Sequence, residues 1–306
     1  MRVLSSRRFP GPAWDELRHV EYFAWPLIEE RQGAEALTVV ARPVDDALLD
    51  LLPDLKLVAN YGAGYELVDV DACRARGITV TNTPGAVDAP TADLAFALML
   101  AVRRRTVEGD RYVRAGRWGS GWAEEELMGD DVSGAALGIV GLGGVGRAVA
   151  WRARGFEMRV LYAKRQRLSP EDESELGVAY RDLDDLLEEA DIVTLHVPQT
   201  HETERLVDAR RLALLRDGAC LVNTARGTVV DEDALVRELV SGRIRAGLDV
   251  FVHEPHVPEE LFGLPNVVLA PHLGTALASA REAMTRVLVD NVLAFDRGER
   301  PQNAVT

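Results

Sequence analysis

The sequence predicts an α/β protein of two domains, each built on a doubly wound parallel sheet. Short apolar runs alternate with amphipathic segments along the chain, and a glycine-rich turn joins one apolar run to a helix. The 306 residues are enough for two hydrophobic cores. We expect one domain at residues 87–275, and a second, discontinuous domain at residues 1–86 and 276–306.

Strands separated by helices predict a small parallel sheet in the first 86 residues. The predicted strands are residues 2–4, 37–41, 57–60 and 78–82, and the predicted helices are residues 13–20, 45–52 and 68–76. The third strand leads into a turn that contains Gly62 and Gly64. Backbone N–H groups exposed there, at the carboxyl end of a strand, would suit a ligand. An ordinary glycine turn is the alternative interpretation.

The glycine-rich turn at residues 141–146, GLGGVG, follows the apolar run 137–140 and precedes a helical segment at 147–152. Gly141 allows a tight turn, Gly143 lets the backbone approach a pyrophosphate, and Gly146 lets helix and strand pack closely. The helix N-terminus adds unpaired N–H groups and a partial positive charge. A strand before the turn and a helix after it make the pattern more specific, and it predicts a dinucleotide site.

Three cations, Lys164, Arg165 and Arg167, follow the next predicted strand at residues 158–162. A chain that binds NAD usually carries Asp or Glu about twenty residues beyond the glycines, where it holds the ribose hydroxyls. Cations without an acid suit a 2′-phosphate instead. The segment therefore predicts NADP(H) as the preferred cofactor, with NAD(H) as the second choice. A solvated basic loop is the alternative interpretation.

The remaining segments continue the alternation of strands and helices. Predicted strands are residues 191–198, 218–224, 244–250 and 266–270, and predicted helices are residues 89–105, 208–215, 231–241 and 276–296. The helix at 89–105 is apolar nearly all round, which predicts burial against another domain or subunit. The acidic run 171–175 is interpreted as a solvated helix start, and the tail 301–306 is expected to pack on the first domain.

The segment 111–128 contains Trp118 and Trp122 among glycines. It is interpreted as a loop that packs its aromatic side chains on a partner surface. A small satellite core is the alternative interpretation.

Composition argues against several classes of partner. The chain has 35 basic and 49 acidic residues, a net charge of −14, which disfavours nucleic acid or an anionic membrane as partner. The longest apolar run, residues 94–102, is far short of the roughly twenty residues that span a bilayer. No signal-peptide core is evident, and Cys73 and Cys220 are expected to be buried free thiols. We therefore expect a cytoplasmic protein.

Three ionisable side chains, Arg226, Glu254 and His272, come at or shortly after the ends of predicted strands. Because the carboxyl ends of parallel strands share one edge, we expect them to reach one crevice. Histidine exchanges a proton near neutral pH, a neighbouring carboxylate favours its imidazolium form, and arginine binds an α-keto acid through two hydrogen bonds. Singly, each has a structural alternative: a surface ion pair, a neighbour of a helix N-cap, or a core histidine. Their joint placement favours catalysis.

His253, Glu254 and His256 lie close enough in sequence to suggest a metal site. No third ligand follows at a recognisable spacing, and Pro255 prevents a regular helix there. We therefore expect no metal.

The chain resembles the D-isomer-specific 2-hydroxyacid dehydrogenase family over nearly its whole length, from NYGAGY (residues 60–65) to PHLG (residues 271–274). The most specific motifs are NTARGTVVD (residues 223–231) and GLDVF (residues 247–251), the latter followed by Glu254 and Pro255. The resemblance implies a Rossmann dinucleotide-binding domain at residues 87–275. It also implies a smaller flavodoxin-like substrate domain, a cleft between the two domains, and a homodimer.

The resemblance also implies roles for single residues. Arg226, Glu254 and His272 correspond to the catalytic residues of the family, and Ala63, Gly64 and Arg226 to those that bind the substrate carboxylate. Together with the glycines and cations described above, the expected cofactor contacts are Thr91, Gly141, Gly143, Gly144, Val145, Gly146, Lys164, Arg165, Arg167, His196, Pro198, Thr224 and Asp249.

Within the family, the cations near Arg165 resemble those of the glyoxylate and hydroxypyruvate reductases that use NADP. The predicted activity is hydride transfer between NADP(H) and a small 2-keto or 2-hydroxy acid. Two alternatives stay open. One is a dehydrogenase of phosphite or another small anion, and the other is a non-catalytic, nucleotide-sensing binding protein such as a corepressor.

Overall fold

The structure, a computed structural model, describes residues 1–27, 29, 31–119 and 127–306. These residues form two compact units: Met1–Asp88 with Thr275–Thr306 (unit 1), and Ala89–Gly274 (unit 2). Each unit contains one sheet, and every strand pair in both sheets is parallel. The predicted fold class is confirmed. Trp122 lies outside the described residues.

The strands are short and alternate with helices. The strands are β1 (Val3–Ser5), β2 (Val20–Tyr22), β3 (Ala36–Val39), β4 (Leu57–Asn60), β5 (Thr79–Thr81), β6 (Ala136–Val140), β7 (Arg159–Ala163), β8 (Val178–Tyr180), β9 (Ile192–Leu195), β10 (Cys220–Asn223), β11 (Arg245–Leu248) and β12 (Val267–Leu269). The helices are α1 (Asp46–Asp50), α2 (Val70–Ala75), α3 (Asp88–Arg103), α4 (Thr106–Arg114), α5 (Gly144–Ala153), α6 (Pro170–Leu176), α7 (Leu183–Glu189), α8 (Ala209–Leu212), α9 (Glu232–Val240) and α10 (Ala278–Asp296).

The sheet of unit 1 has the strand order β2-β1-β3-β4-β5, the order of flavodoxin-like sheets. One face packs Ala36 and Leu57 against Leu288 of α10. The other face packs Leu37 against Leu48 of α1, and so the sheet is covered on both sides. The tail also packs on unit 1, as predicted, since the Val305 N–H donates to the carbonyl of β5 residue 80 at 2.9 Å.

The predicted helix at residues 13–20 is wrong. A single 3-10 turn at Pro12–Glu16 ends with Leu17 in an extended conformation, and β2 follows. That one turn suffices to bury Trp14, whose ring packs edge-on against Phe9. The Trp14 indole N–H donates to the Tyr22 hydroxyl at 2.9 Å and so ties the turn to the strand. Tertiary packing therefore overrides the helical pattern.

The sheet of unit 2 has the order β8-β7-β6-β9-β10-β11-β12. This is the 3-2-1-4-5-6 order of dinucleotide-binding sheets with one added strand. Successive strands are added on one side of β6 as far as β8, and from β9 onwards they are added on its other side. Helices cover both faces: Ala150 of α5 packs on one and Leu235 of α9 on the other. Helices α7 and α3 approach the sheet closely where the sheet carries glycine. A Cβ at Gly138 would overlap Leu186 of α7, and a Cβ at Gly247 would overlap Leu98 of α3.

The structure bears on three further expectations in unit 2. One side of α3 packs on the sheet of its own unit through Leu98 and Met99, and the expected burial of the rest of the helix against another domain or subunit stays a prediction. Part of the predicted loop 111–128 belongs to helix α4, and Trp118 beyond it is 62% exposed. The acidic run 171–175 starts helix α6 and is exposed apart from Glu173, whose side chain is 13% exposed, so the predicted solvated helix start is confirmed except at Glu173.

Cys73 and Cys220 are buried free thiols, as predicted. Burial raises the pKa of Cys73 to about 11 and that of Cys220 to about 12. Within the described ranges, no helix has both the length and the apolar character needed to cross a bilayer.

Candidate active site

The carboxyl edge of the seven-stranded sheet carries most of the predicted site residues. Because all the strands are parallel, the segments that follow them emerge at this one edge, in the spatial order of the strands. From β7 to β12 these segments carry, in turn, Lys164 to Arg167; the glycine-rich turn; His196 and Pro198; Thr224 and Arg226; Asp249 and Glu254; and His272.

The glycine-rich turn between β6 and α5 is shaped by close backbone packing. Gly141 has φ +96°, and a Cβ there would lie 2.6 Å from the carbonyl oxygen of His196. A Cβ at Gly146 would lie 2.2 Å from the carbonyl oxygen of Gly141. Gly143 has open space instead, and as the N-cap of α5 it makes no side-chain cap bond. The turn thus presents a helix N-terminus with room for a phosphate.

The three cations after β7 differ in their partners. The Gly141 N–H donates to the Ala163 carbonyl at 3.0 Å, which holds the end of β7 beside the glycine-rich turn. Lys164 and Arg165 form no ion pair with a carboxylate in the described part of the chain. Arg167 binds both oxygens of Glu173, at 2.8 and 2.9 Å. Arg167 is therefore already paired with a carboxylate, and its expected contact with the cofactor stays a prediction.

Two buried polar atoms at the same edge lack partners. His196 lies against Thr194, with Nε2 2.9 Å from Oγ1, while its buried Nδ1 has no hydrogen-bond partner among the described residues. Burial lowers the pKa of His196 to about 3, so the ring is neutral. The Thr224 hydroxyl is also buried without a partner among these residues. Buried polar groups are normally satisfied, so these atoms fit a bound group such as the dinucleotide.

Arg226 lies in the turn after β10, and the Asn223 side chain closes this turn. The Asn223 amide nitrogen donates to the Arg226 carbonyl at 2.9 Å, and its amide oxygen accepts from the Ala225 N–H at 3.0 Å. A Cβ at Gly227 would lie 2.1 Å from the carbonyl carbon of Phe251. The turn that carries Arg226 therefore packs directly on the backbone of the segment after β11.

Glu254 and His272 form a hydrogen-bonded pair. The Nδ1 of His272 lies 2.7 Å from the Oε2 of Glu254, and the Oε1 of Glu254 accepts from the Phe251 N–H at 3.1 Å. The His272 side chain is 47% exposed and that of Glu254 is 36% exposed, so solvent and substrate can reach both. Donation from Nδ1 to the carboxylate orients the ring and assigns proton exchange to Nε2.

Asp249 is fully buried at the end of β11 and supports His272 through the backbone. Its carboxylate accepts from the N–H groups of Leu273 and Gly274, at 2.6 and 2.9 Å, and its carbonyl accepts from the His272 N–H at 2.9 Å. Burial raises the pKa of this carboxyl, while the two N–H donors act to lower it. These bonds hold His272 in the left-handed region, at φ +54°.

All the expected cofactor contacts stay predictions, and Thr91 and Asp249 have protein partners of their own. Thr91 is buried, with its hydroxyl 3.4 Å from the carbonyl oxygen of Gly274, and so it lies beside the turn that carries His272. Asp249 has the backbone partners described above, and these contacts do not test an additional contact with the cofactor.

The predicted carboxylate-binding loop lies in unit 1, after β4. Asn60 donates through its amide nitrogen to the carbonyl oxygens of Gly62 and Gly64, at 3.2 and 2.8 Å, and Asn82 donates to that of Ala63 at 2.7 Å. The N–H groups of Ala63 and Gly64 make no hydrogen bond within the described part of the chain. Unpaired N–H groups beside anchored carbonyls suit an anion.

Sequence reasoning missed the residues that hold this machinery in place. Asn60, Asn82 and Asn223 each stand at or just after the end of a strand, before a turn, and asparagine in such positions signals a side chain that bonds the local backbone. Glu173 gave no separable signal inside its acidic run. His253 and His256 pair through their backbones, and no metal-binding group of three His, Cys, Asp or Glu side chains occurs among the described residues.

Residues 96–274 match the family model for the NAD-binding domain of D-isomer specific 2-hydroxyacid dehydrogenases. The chain belongs to this family. A D-2-hydroxyacid dehydrogenase is an oxidoreductase that uses a nicotinamide dinucleotide, so the predicted family and enzyme class are confirmed. The alternative of a binding protein without catalytic activity is correspondingly disfavoured.

Individual relatives agree with this assignment. A glyoxylate reductase of Thermococcus litoralis is 48% identical over 91% of this dehydrogenase and 86% of its own length. A crystal structure of a protein from Thermus thermophilus matches with a TM-score of 0.90 and 43% identity over the whole of both chains. An NADPH-dependent glyoxylate/hydroxypyruvate reductase of Sinorhizobium meliloti, solved with NADP and malonate, matches with a TM-score of 0.89 and 33% identity, over 100% of this chain and 96% of the other.

Proposed function

We propose that this dehydrogenase is an NADPH-preferring reductase of small 2-keto acids, with glyoxylate and hydroxypyruvate as its substrates. The observation that carries the proposal is the His272–Glu254 pair, whose atoms lie 2.7 Å apart at the same sheet edge as the glycine-rich turn. The Thermococcus and Sinorhizobium relatives, both named for glyoxylate reduction, support the choice of substrates.

The cofactor would lie along the carboxyl edge of unit 2. Gly143, Gly144 and Val145 would hold the pyrophosphate at the N-terminus of α5. Lys164 and Arg165, beside the glycine-rich turn, would bind the 2′-phosphate. The unpaired atoms of His196 and Thr224, with Pro198, Thr91 and Asp249, complete the proposed contacts from the adenine towards the nicotinamide. The bound nicotinamide supplies the hydride.

The residues of this chain supply the proton and bind the substrate. The imidazolium of His272 donates its Nε2 proton to the keto oxygen, while Glu254 holds Nδ1 and stabilises the positive charge. Arg226 binds the carboxylate and carbonyl oxygens of the substrate through its guanidinium. Preorganised charge of this kind contributes several kcal/mol to lowering a barrier.

The two units divide these tasks. Unit 2 is the dinucleotide-binding domain and carries the catalytic residues, and unit 1 is the substrate-binding domain. The N–H groups of Ala63 and Gly64 bind the substrate carboxylate, supported by the anchoring of the neighbouring carbonyls to Asn60 and Asn82.

The protein acts in the cytoplasm as a homodimer. Two buried free thiols support a reducing compartment. Several apolar side chains of unit 2 are more than half exposed, and those of Val113, Trp118, Met128 and Trp151 support a contact with a second copy. Light scattering after size exclusion tests this, with twice the mass of 33.5 kDa as the expected result.

The activity is tested by the loss of reduced nicotinamide absorbance with glyoxylate, hydroxypyruvate, pyruvate and phenylpyruvate, each with NADPH and with NADH. The proposal predicts turnover of the first two keto acids and a higher kcat/KM for NADPH. Reduction of NADP⁺ or NAD⁺ by phosphite, without keto-acid turnover, would favour the small-anion alternative. Binding of NADPH with no turnover of any substrate would favour the binding-protein alternative.

A further inference from the structure

Arg167 is fixed on two sides by the fold of unit 2. Its Nε and Nη2 donate to the two carboxylate oxygens of Glu173, at 2.8 and 2.9 Å. Its guanidinium carbon also lies 5.4 Å from the centre of the Tyr180 ring. Two N–H donors on one side of the guanidinium are thus already bound, and one face of the guanidinium lies over an aromatic ring.

Glu173 is itself fixed, by Tyr162. The Tyr162 ring is fully buried in β7, and its hydroxyl donates to the Oε1 of Glu173 at 2.8 Å. The hydrogen bonds from Arg167 and then Tyr162 lower the pKa of Glu173 to about 2. The Glu173 side chain is 13% exposed, and so releasing Arg167 would leave a half-buried carboxylate without its cation.

The same tyrosine closes the segment that carries the cations. Residues 164–167 form a loop that starts directly after β7, the strand that contains Tyr162. The Leu168 N–H at the end of the loop donates to the Tyr162 hydroxyl at 2.9 Å. Ser169 then caps α6 by accepting from the Asp172 N–H at 3.1 Å. This cap starts the helix whose first turn presents Glu173 to the loop.

Lys164 and Arg165 lie at the position where a dinucleotide fold places its ribose-binding residue, about twenty residues beyond the glycines. They pair with no carboxylate in the described part of the chain. The pKa of Glu202 is lowered chiefly by the hydrogen bond from Thr200 and, to a smaller extent, by the charge of Arg165. Of the three cations in the loop, Arg167 thus has a carboxylate partner, and Lys164 and Arg165 have none in the described part of the chain.

We propose that Arg167 is a positioning residue for cofactor specificity. Together with Glu173 and Tyr162 it holds the loop 164–168, so that Lys164 and Arg165 face the 2′-phosphate of NADPH, and it does not contact the phosphate itself. The inference rests on the NADPH preference in the proposed function, and it does not depend on the identity of the keto acid.

The direction in which Glu173→Gln changes NADPH affinity distinguishes a positioning role of Arg167 from direct contact with the phosphate. Glu173→Gln removes a negative charge near the phosphate site and releases the Arg167 fork. If Arg167 were a phosphate ligand, or if only the summed charge mattered, this change would tighten NADPH binding. If Arg167 is a positioning residue, the same change loosens the loop and weakens NADPH binding.

The experiment is a titration of the full-length protein with NADPH and with NADH, followed by nicotinamide fluorescence and without any keto acid. The variants are Arg165→Ala, Arg167→Ala, Glu173→Gln and the Arg167→Ala/Glu173→Gln double variant. Arg210→Ala is the matched control, since Arg210 also binds both oxygens of one carboxylate, that of Asp184, in the same unit. Thermal unfolding of each variant checks that it is folded.

For Arg165→Ala we expect the Kd for NADPH to rise about tenfold or more, as for loss of a charge-assisted phosphate contact. For Arg167→Ala and Glu173→Gln we expect a rise of about three- to tenfold, and for the double variant no more than for either single variant. The Kd for NADH should stay unchanged throughout, and Arg210→Ala should change neither Kd.

Tighter NADPH binding by Glu173→Gln, or additive effects of the two substitutions, would overturn the positioning role. Equal Kd values of the wild type for NADPH and NADH would overturn both this role and the proposed cofactor preference. A preference for NADPH with the expected variant pattern, but no turnover of any keto acid, would support the positioning role and reject the proposed function.

Discussion

The two ends of the carboxyl edge of unit 2 hold their functional side chains in different ways. At the β10–β12 end, backbone contacts set the positions: Gly227 packs on Phe251, and buried Asp249 fixes the turn that carries His272. At the β7 end, the segment is exposed, and Arg167 is held by another side chain, that of Glu173.

This difference indicates how each end tolerates change. A catalytic pair must be kept within a few tenths of an ångström, and backbone contacts that leave no room for a Cβ supply that accuracy. Cofactor choice needs a cation held near the ribose, and an ion pair between side chains can hold a loop there with less accuracy than backbone packing. We therefore expect large, general losses at the β10–β12 end and selective, smaller ones at the β7 end.

The largest expected effect is that of His272→Ala. Loss of the proton donor should lower kcat by about 10³-fold, within the range typical of general acid–base catalysis. The Kd for NADPH should stay within about twofold, since the ring is not proposed to hold the cofactor. Steady-state turnover and fluorescence titration measure the two quantities. His201→Ala, at an exposed position of the same unit, is the control, and a near-normal rate for His272→Ala would reject its catalytic role.

Glu254→Gln should have the next largest effect. Its amide oxygen can still accept from the Phe251 N–H, but the negative charge beside the His272 imidazolium is lost. We expect kcat to fall about 10²-fold, with little change in thermal stability. Glu259→Gln, an exposed carboxylate after β11, is the control. If the Glu254→Gln variant kept its full turnover, the pairing with His272 would have no catalytic value.

Gly227→Ala tests whether backbone packing supports the β10–β12 end. The added Cβ would lie 2.1 Å from a backbone carbonyl carbon, so the turn must shift, at a cost of about 2 kcal/mol or more in the free energy of unfolding. Gly155→Ala is the matched control, because a Cβ there meets nothing within 4 Å. Urea unfolding of both variants measures the difference. Equal stabilities would show that the Gly227 contact is dispensable.

The smallest effect concerns acid stability at the β7 end. Because Arg167 and Tyr162 lower the pKa of Glu173 from its ordinary 4.5 to about 2, this carboxylate stabilises the fold above pH 4.5, and the contribution is lost as the pH falls to about 2. Glu173→Gln should flatten the acid-unfolding curve in that window.

Asp184→Asn is the matched variant, with the same expected effect on acid unfolding and none on NADPH binding. The pKa of Asp184 is also lowered to about 2, chiefly by Arg210 and Arg211, so its removal should flatten the same curve. It should leave NADPH binding unchanged, because the partners of Asp184, Arg210 and Arg211, lie in α8 and not in the loop 164–168. An unchanged acid-unfolding curve for Glu173→Gln would mean that the Arg167 pair contributes nothing to stability.

Much of this molecule could be predicted from its sequence because the signals are local. Apolar runs of strand length and the spacing of Gly141, Gly143 and Gly146 predict the sheet of unit 2 and its dinucleotide turn. The rest depends on packing between distant segments. The partner of Arg167 sits on a helix whose acids look alike in sequence, and one side of α3 is buried by its own sheet.

The support behind the catalytic residues was also hidden from the sequence. Asp249 stands in a specific motif and was expected to contact the cofactor, but nothing local shows that its carboxylate turns back to the backbone beyond His272. Strand β2 was missed for a similar reason, since its pairing with β1 decides its structure more than the pattern of its own residues.

We propose above all that one edge of unit 2 binds the dinucleotide, with the 2′-phosphate at the β7 end and the reacting carbon beside His272. A crystal structure with NADP⁺ and oxamate, an unreactive analogue of a 2-keto acid, tests this directly. We predict that the 2′-phosphate lies about 3 Å from Lys164 or Arg165, and the oxamate carbonyl oxygen about 3 Å from the His272 Nε2. A nicotinamide ring at the β7 end, or an imidazole out of hydrogen-bonding reach of the analogue, would contradict it.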